Sequence, residues 1–321
     1  MDSCSRQCLG LCWRKRRQNM GNSTFSGPLR SENGVQLVNK ASGKVHNRTI
    51  GDWPRDARRW YLEEFFNRRP GLNANLDAAS TTEVQRTLNY DFEILGTNMT
   101  SALVTFPATS SGVRATTAGA DQDQAIIAPH LDNDGTADTG AITGWSGVQW
   151  GTENEVHWET SIMLPAIDNQ KVWAGLKLTN DQLVATDANQ AYFKFQTDAT
   201  NSEAFTDYSY WHFVHSIGGT DYISQLPITV AANTPYHLKI EIDSARKATI
   251  FVNGIQYNIT TTSGSTGGTA VTEVGPSALP VKTAALTDDV DFIPYNGIEA
   301  GAAAAEALDT HFIAMSRKIY E

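Results

Sequence analysis

The chain has no cysteine after residue 12: Cys4, Cys8 and Cys12 are all it holds. Whatever folds beyond that point uses neither disulfides nor a cysteine metal site. The spacing Cys-x3-Cys-x3-Cys also lacks a fourth zinc ligand. No apolar run approaches the ~18–20 residues of a membrane-spanning helix. The segment CLGLCW is too short for a signal-peptide core, and basic residues follow it instead of a cleavage site. No export signal is expected. Also missing are a Gly-rich phosphate loop, G-x-S-x-G, H-E-x-x-H and a nucleotide fingerprint, which points away from the common enzyme classes. Basic residues are scarce after residue 70, with 11 Lys+Arg against 29 Asp+Glu. Such an acidic body is a poor partner for nucleic acid.

The first 70 residues are the opposite, with 14 Lys+Arg against 6 Asp+Glu. A basic leader on an acidic body points to two jobs. Residues 1–19 have no periodicity and read as a disordered leader, with Met20 as the expected natural start. Residues 20–74 read as an extended arm plus one helix. Asp52 is placed to cap it, Pro54 to open it and Arg68-Arg69-Pro70-Gly71 to end it. Ala57, Tyr61 and Phe65 would form its apolar stripe. Arg55, Arg58, Arg59, Arg68 and Arg69 would make its polar side a basic attachment surface.

From residue 75 to 321 the pattern is almost wholly β. YHLKIEIDSARKATIFVNGIQY (236–257) is the clearest case. Leu238, Ile240 and Ile242 alternate with Lys239, Glu241 and Asp243, the two-residue period of a half-buried strand with one wet face. Asn253-Gly254 then marks a two-residue hairpin turn. Thirteen such strands, starting at Tyr90 and separated by turn-rich segments, predict an all-β fold, a two-sheet antiparallel sandwich or a closed antiparallel barrel. Gly175, in the middle of KVWAGLKLT, is expected to let a neighbouring backbone approach closely. The Gly/Thr-rich stretch Ser263–Ala285 is expected to be a mobile loop. EAGAAAAEALD (299–309) reads as a short helical linker.

The order KVWAGLKLT, AYFKF, WHFVHSIGG, YHLKIEID and IFVNG resembles the concanavalin A-like lectin and glucanase jelly rolls, laminin-G-like modules included. The resemblance implies a jelly roll with a lectin-like surface. GNSTFSGPLRSENG (21–34), TTAGADQDQAIIAPHLD (116–132), WGTENEVHWE (150–159) and VDFIPYNGIEAGAAAAEALDTHFIAMSR (290–317) are similar to virion-associated proteins of tailed bacteriophages. That similarity implies a non-enzymatic virion component: a capsid decoration, head-fibre or tail-associated protein. Its partners would be other virion proteins, sister copies and host-surface glycans, with no nucleic acid and no membrane.

Four constellations carry possible chemistry. Trp145, Trp150, Tyr208, Tyr210 and Trp211 could offer a stacking platform for sugar rings. Asp132, Asp134 and Asp138 surround a glycine turn and could bind Ca2+. His212 and His215 differ by three on a strand, so they should face opposite sides. ENEVHWE places Glu155 and Glu159 at the spacing of the glucanase motif E-x-D-x-E, but His157 stands where that family has Asp. Catalysis by Glu155 and Glu159 is therefore the alternative reading, with a free carbohydrate-binding module as a third.

Overall fold

Two ten-stranded sheets lie face to face in the computed structural model. It describes residues 37–38, 45–46, 59–67, 70–73, 92–108, 110–129, 150–177, 188–197 and 205–319. All belong to one compact unit, Gln36–Glu321. In chain order the strands are β1 (Leu37–Val38), β2 (Val45–His46), β3 (Arg59–Glu64), β4 (Gly71–Asn73), β5 (Phe92–Gly96), β6 (Val104–Thr105) and β7 (Val113–Thr116). Then come β8 (Gln124–Pro129), β9 (Trp150–Gly151), β10 (His157–Met163), β11 (Gln170–Lys177), β12 (Gln190–Gln196), β13 (Tyr210–Ile217) and β14 (Thr220–Thr229). The last are β15 (Pro235–Ile242), β16 (Ala248–Val252), β17 (Ile255–Tyr257), β18 (Thr269–Ala270), β19 (Asp291–Ala300) and β20 (Ala307–Lys318).

The first sheet runs β1-β2-β17-β16-β15-β10-β20-β7-β6, with β3 also on β20. The second runs β18-β14-β13-β12-β11-β19-β8-β5-β4, with β9 also on β19. Most pairs are antiparallel; β14·β18 and β4·β5 are parallel. This is the two-sheet sandwich expected from the strand pattern, in the jelly-roll form that the resemblance implied. The alternation in 236–257 holds: Leu238, Ile240, Ile242, Ala248, Ile250 and Val252 all enter the core between the sheets. Trp158, Trp211, Phe193, Phe195 and Phe213 fill it from both sides. Asn253 and Gly254 both take positive φ, 50° and 74°, as a two-residue hairpin requires.

Three sequence expectations are corrected. The helix placed over residues 54–68 is not there: Arg59–Glu64 is strand β3, paired with Ile313–Lys318 of β20. Its apolar residues follow the core and not a helical stripe, with Leu62 buried and Trp60 packed beside it. Helix propensity is a weak prior that tertiary pairing overrides. The alanine-rich run 299–309 forms no helix either. β19 continues to Ala300, four bends follow, and β20 begins at Ala307. Ser263–Ala285 is held by hydrogen bonds along its length, among them Val271 N to Gln225 O, Asn258 N to Thr272 O and Ile259 N to Val281 O.

β14 escaped the pattern because Pro227 sits inside it. Proline cannot donate to a ladder and normally argues against a strand. Here it lies where the β13·β14 register shifts, between Tyr210↔Thr229 and His212↔Gln225.

One ion pair stitches the β7·β20 edge. Arg114 Nε and Nη2 donate to the two carboxylate oxygens of fully buried Asp309 at 2.5 and 2.8 Å. Arg114→Met would leave that carboxylate without its cation. A loss of about 2 kcal/mol is expected, the lower range because Arg114 is partly exposed. Urea denaturation of the variant measures it.

Candidate functional site

The second sheet turns a polar, aromatic face away from the core. Strict alternation builds it. β11 sends Val172, Ala174 and Leu176 into the core, and β12 sends Ala191, Phe193 and Phe195. The intervening residues of both strands share the other face. Cross-strand register arranges these into four rows. Glu299, Lys171 and Gln196 form the first, with Gln124 beside Glu299. Gly297, Trp173, Lys194 and His212 form the second. Tyr295, Gly175, Tyr192 and Val214 form the third, and Lys177, Gln190, Ser216 and Asp221 the fourth.

Two glycines let the rows close up. Gly175 has φ +152°, and a Cβ there would lie 2.5 Å from Tyr192 Cα. A Cβ on Gly297 would meet the Trp173 ring and Ile126 at 3.2 Å. The close approach expected at Gly175 is thus present, and it brings the Tyr192 backbone alongside.

The face concentrates charge in a dry place. Lys171 Nζ pairs with Glu299 Oε1 at 2.8 Å, both buried. Gln124 Nε2 donates to the other Glu299 oxygen at 2.9 Å. Lys177 Nζ lies 5.8 Å from the Tyr192 ring centre and 5.5 Å from that of Tyr295. Lys194 Nζ lies 5.3 Å from the centre of the Phe205 ring, which stacks on His212 at 4.2 Å and 8°. Burial, reinforced by Lys171 and Lys177, pushes the Lys194 ammonium well below its ordinary pKa. Burial also takes His212 down to about 4, so it is neutral. Trp173 Nε1 meets no hydrogen-bond partner among the described residues. At the fourth row Gln190 Nε2 donates to Ser216 Oγ at 2.7 Å, and Ser216 donates to Asp221.

Phe205 is the cover over Lys194 and His212. A parallel bridge to Gly267 holds it there. Phe205→Ala is expected to hydrate the His212 ring and move its titration up toward the ordinary histidine range. An NMR pH titration reads this; an unmoved His212 would assign its burial to other neighbours.

The residues singled out in the sequence distribute differently. Trp150 and Trp211 are core, 2% and 0% exposed. Trp150 packs 5.4 Å from Trp60 and Trp211 5.6 Å from Tyr236. A sandwich of this width needs large apolar residues between its sheets, so neither ring offers a free face. Tyr208 packs beside the second-sheet face, and Tyr210 opens β13, half-buried. Trp145, Asp132, Asp134 and Asp138 lie outside the described residues, as do Arg55, Arg58, Arg68 and Arg69. Among the described residues, Glu153, Asp288 and Asp289 bring carboxylates within 4.8 Å of one another, all exposed. Arg246 pairs with Asp288 at 3.1 Å.

Arg59 is not a free docking group. Its guanidinium donates to Ser316 Oγ at 3.0 Å and to the Glu155 carbonyl at 2.6 Å, tying β3 to the sheet. Glu155 itself precedes β10 in a left-handed conformation, φ 48°, and pairs with Lys318 at 2.7 Å. Glu159 is within β10, buried, with His237 Nε2 at 3.2 Å. The strand starts at His157, so Glu155 and Glu159 do not share one strand face. The wet face expected for β15 is also largely closed. Lys239, 2% exposed, pairs with Glu241 at 2.6 Å and lies over Phe251 at 5.5 Å. His212 and His215 do face opposite sides: His215 stacks on Tyr222 at 4.6 Å.

The cationic second-sheet face was missed because its charges sit at strand positions that read as ordinary solvated lysines. Its signal was the shared period of KVWAGLK and QAYFKFQ, which put Lys171, Trp173 and Lys177 on one face with Tyr192 and Lys194.

No family model and no curated protein matches the chain. Among solved structures it is similar to a Shewanella oneidensis MR-1 protein of unknown function, at 8% identity and TM-score 0.45 over 81% of this chain and 87% of that one. It is similar to a family 7 alginate lyase, A1-II', at 13% identity and TM-score 0.39 over 70% and 85%. The exoplasmic/lumenal domain of VIP36, in a Ca2+- and mannose-bound form, aligns at 8% identity and TM-score 0.37 over 72% and 85%. Nothing about function follows from likenesses at this level.

Proposed function

We propose that the protein binds polysaccharide on the polar face of its second sheet. One observation carries the reading: Trp173, Tyr192 and Tyr295 alternate there with the lysines, Gln190, Gln196 and His212 in continuous cross-strand rows. Aromatic rings stack on sugar faces, while amide and ammonium groups bond hydroxyls. From β14 to β8 the face is six strands wide, about 24 Å at ordinary strand spacing, long enough for several sugar units. Packing accounts for the rings, which form a buried cluster with Ile126, Val214, Ile223 and Phe205; it accounts less well for the lysines. Buried lysines are destabilising, and apolar residues of similar volume would hold the sheet at least as well. Trp173, Tyr192 and Tyr295 are themselves buried, 1%, 0% and 3% exposed, so binding requires the cover of this face, Phe205 included, to move aside.

On the phage-like segments we place the chain in a virion, as a non-enzymatic decoration, fibre or tail-associated component facing host-surface glycans. Its basic N-terminal region serves as the attachment.

Two experiments test these readings. A polysaccharide array should show binding that Tyr192→Phe weakens about 5-fold or more, since it removes one hydroxyl and little volume; an array with no binder would sink the sugar reading. Mass spectrometry of purified particles should find the chain at fixed stoichiometry. Deleting residues 1–35, which lie outside the compact unit beginning at Gln36, should release it. Absence from particles would end the virion reading, and retention of the shortened chain would exclude residues 1–35 as the attachment and leave it to the basic residues 55–69.

A further inference from the structure

We propose that Lys171 and Gln124 become joined by an isopeptide bond within the folded second sheet, with Glu299 carrying the proton between them. Three strands bring these groups into one row. β19 runs between β11 and β8, and Glu299 on it pairs with Lys171 on one side and with Gln124 on the other. Both neighbours hold the same carboxylate. Lys171 Nζ donates to Oε1 at 2.8 Å, and Gln124 Nε2 donates to Oε2 at 2.9 Å. All three side chains are buried. The Lys171 and Gln124 backbones stand two strand spacings apart, about 9.6 Å at ordinary spacing. An extended lysine and a glutamine joined end to end span that distance.

Each step has its group in place. An amine attacks only when neutral, and Glu299 Oε1 is placed to take the Lys171 proton. Burial leaves both charges unhydrated, and that transfer removes both. The Nζ lone pair then adds to Gln124 Cδ. Oε2 faces Nε2, so a second Nζ proton passed through the carboxyl group reaches the leaving nitrogen. The Cδ–Nε2 bond breaks and ammonia departs. Of the three Lys171 protons, one stays on the new amide nitrogen, one stays on Glu299 and one leaves with the ammonia. No other reagent enters. Holding amine and amide on one carboxylate, away from water, supplies the proximity that an unactivated amide requires. Gln196 also lies beside Lys171, but on the side away from Glu299. The product is one cation fewer beside Lys194, which Lys171 and Lys177 press upon. It also locks β8 to β11 across β19, a covalent closure open to a body with no cysteine after residue 12. None of this depends on the polysaccharide reading.

Mass spectrometry of the purified full-length protein, denatured before injection, is the test. The expected intact mass is that of the chain less one ammonia. Protease digestion should then yield one branched peptide in which Lys171 Nζ is bonded to Gln124 Cδ. Glu299→Gln should keep the ammonia and leave Lys171 and Gln124 in separate peptides, with the fold intact by circular dichroism. A wild-type chain of full mass overturns the proposal, since that is what an unreacted buried ion pair gives. An ammonia loss mapped to another residue, or a branch at Gln196, overturns it as well. A folded Glu299→Gln protein that still carries the branch removes Glu299 as the proton carrier. If that variant does not fold, the wild-type mass and branch still decide whether the bond exists.

Discussion

Gly175→Ala is expected to destabilise the protein by about 4 kcal/mol. Two causes coincide. The backbone there has φ +152°, a region that L side chains rarely adopt. The new Cβ would also lie 2.5 Å from Tyr192 Cα, 2.6 Å from Tyr192 Cβ and 2.7 Å from Ala191 O. Those atoms are mostly backbone of β12, and they cannot give way easily. β11 is paired on both sides, with β12 from Lys171 to Lys177 and with β19 from Gln170 to Lys177. Gly218→Ala is the control. Its φ is +56°, and an added Cβ there meets nothing within 4 Å. A loss of about 1 kcal/mol is expected for it. Urea denaturation of both variants separates steric clash from backbone preference. Equal losses would show that β12 can retreat and that Gly175 is not the constraint on this face.

Acid is expected to weaken the fold well above the carboxylate range. Burial holds His157 and His212 down to about 4 and His215 to about 3. In the unfolded chain each titrates near its ordinary 6.5. Between these values the unfolded state binds protons that the folded state refuses. The stability is therefore complete above about pH 6.5 and drains away as pH falls toward 4 and then 3. The fully buried pair His212 and His215 should each remove on the order of 2 kcal/mol by about pH 5. Glu306 and Asp291, whose carboxyls burial raises, work the other way and offset a part. Denaturant midpoints at about pH 7.5 and about pH 5 test this, with His215→Phe flattening the slope. A midpoint unchanged between them would mean that the imidazoles are hydrated.

Much of the sandwich was legible because period-two alternation survives wherever one face meets the core, as in 236–257 and KVWAGLK. It failed where local preference and tertiary pairing disagree. Arg59–Glu64 looks helical until β20 offers it a hydrogen-bonding edge. The alanines after Ala300 favour helix, but β19 and β20 leave them only a short connection. Pro227 hid β14 because a bulge absorbs its missing donor. Aromatic residues misled the site reading: no motif encodes which sheet face a tryptophan takes, and Trp150, Trp173 and Trp211 are all buried. Trp150 and Trp211 went to the core between the sheets, while Trp173, two residues from Lys171 and so on the same phase of its strand, went to the second sheet's outer face. β19 and β8 join that face from far away in sequence, so only register brings Glu299 to Lys171 and Gln124.

The claim that the second sheet carries the ligand can be tested by comparing faces. Lys194→Met with Tyr192→Phe alters the second sheet, and Glu159→Gln with His237→Gln alters the outer face of the first. Binding of the best polysaccharide to the two double variants is the deciding measurement. The account predicts that the first double variant loses binding about 10-fold or more, with the second unchanged. Loss confined to the first-sheet variant would contradict it.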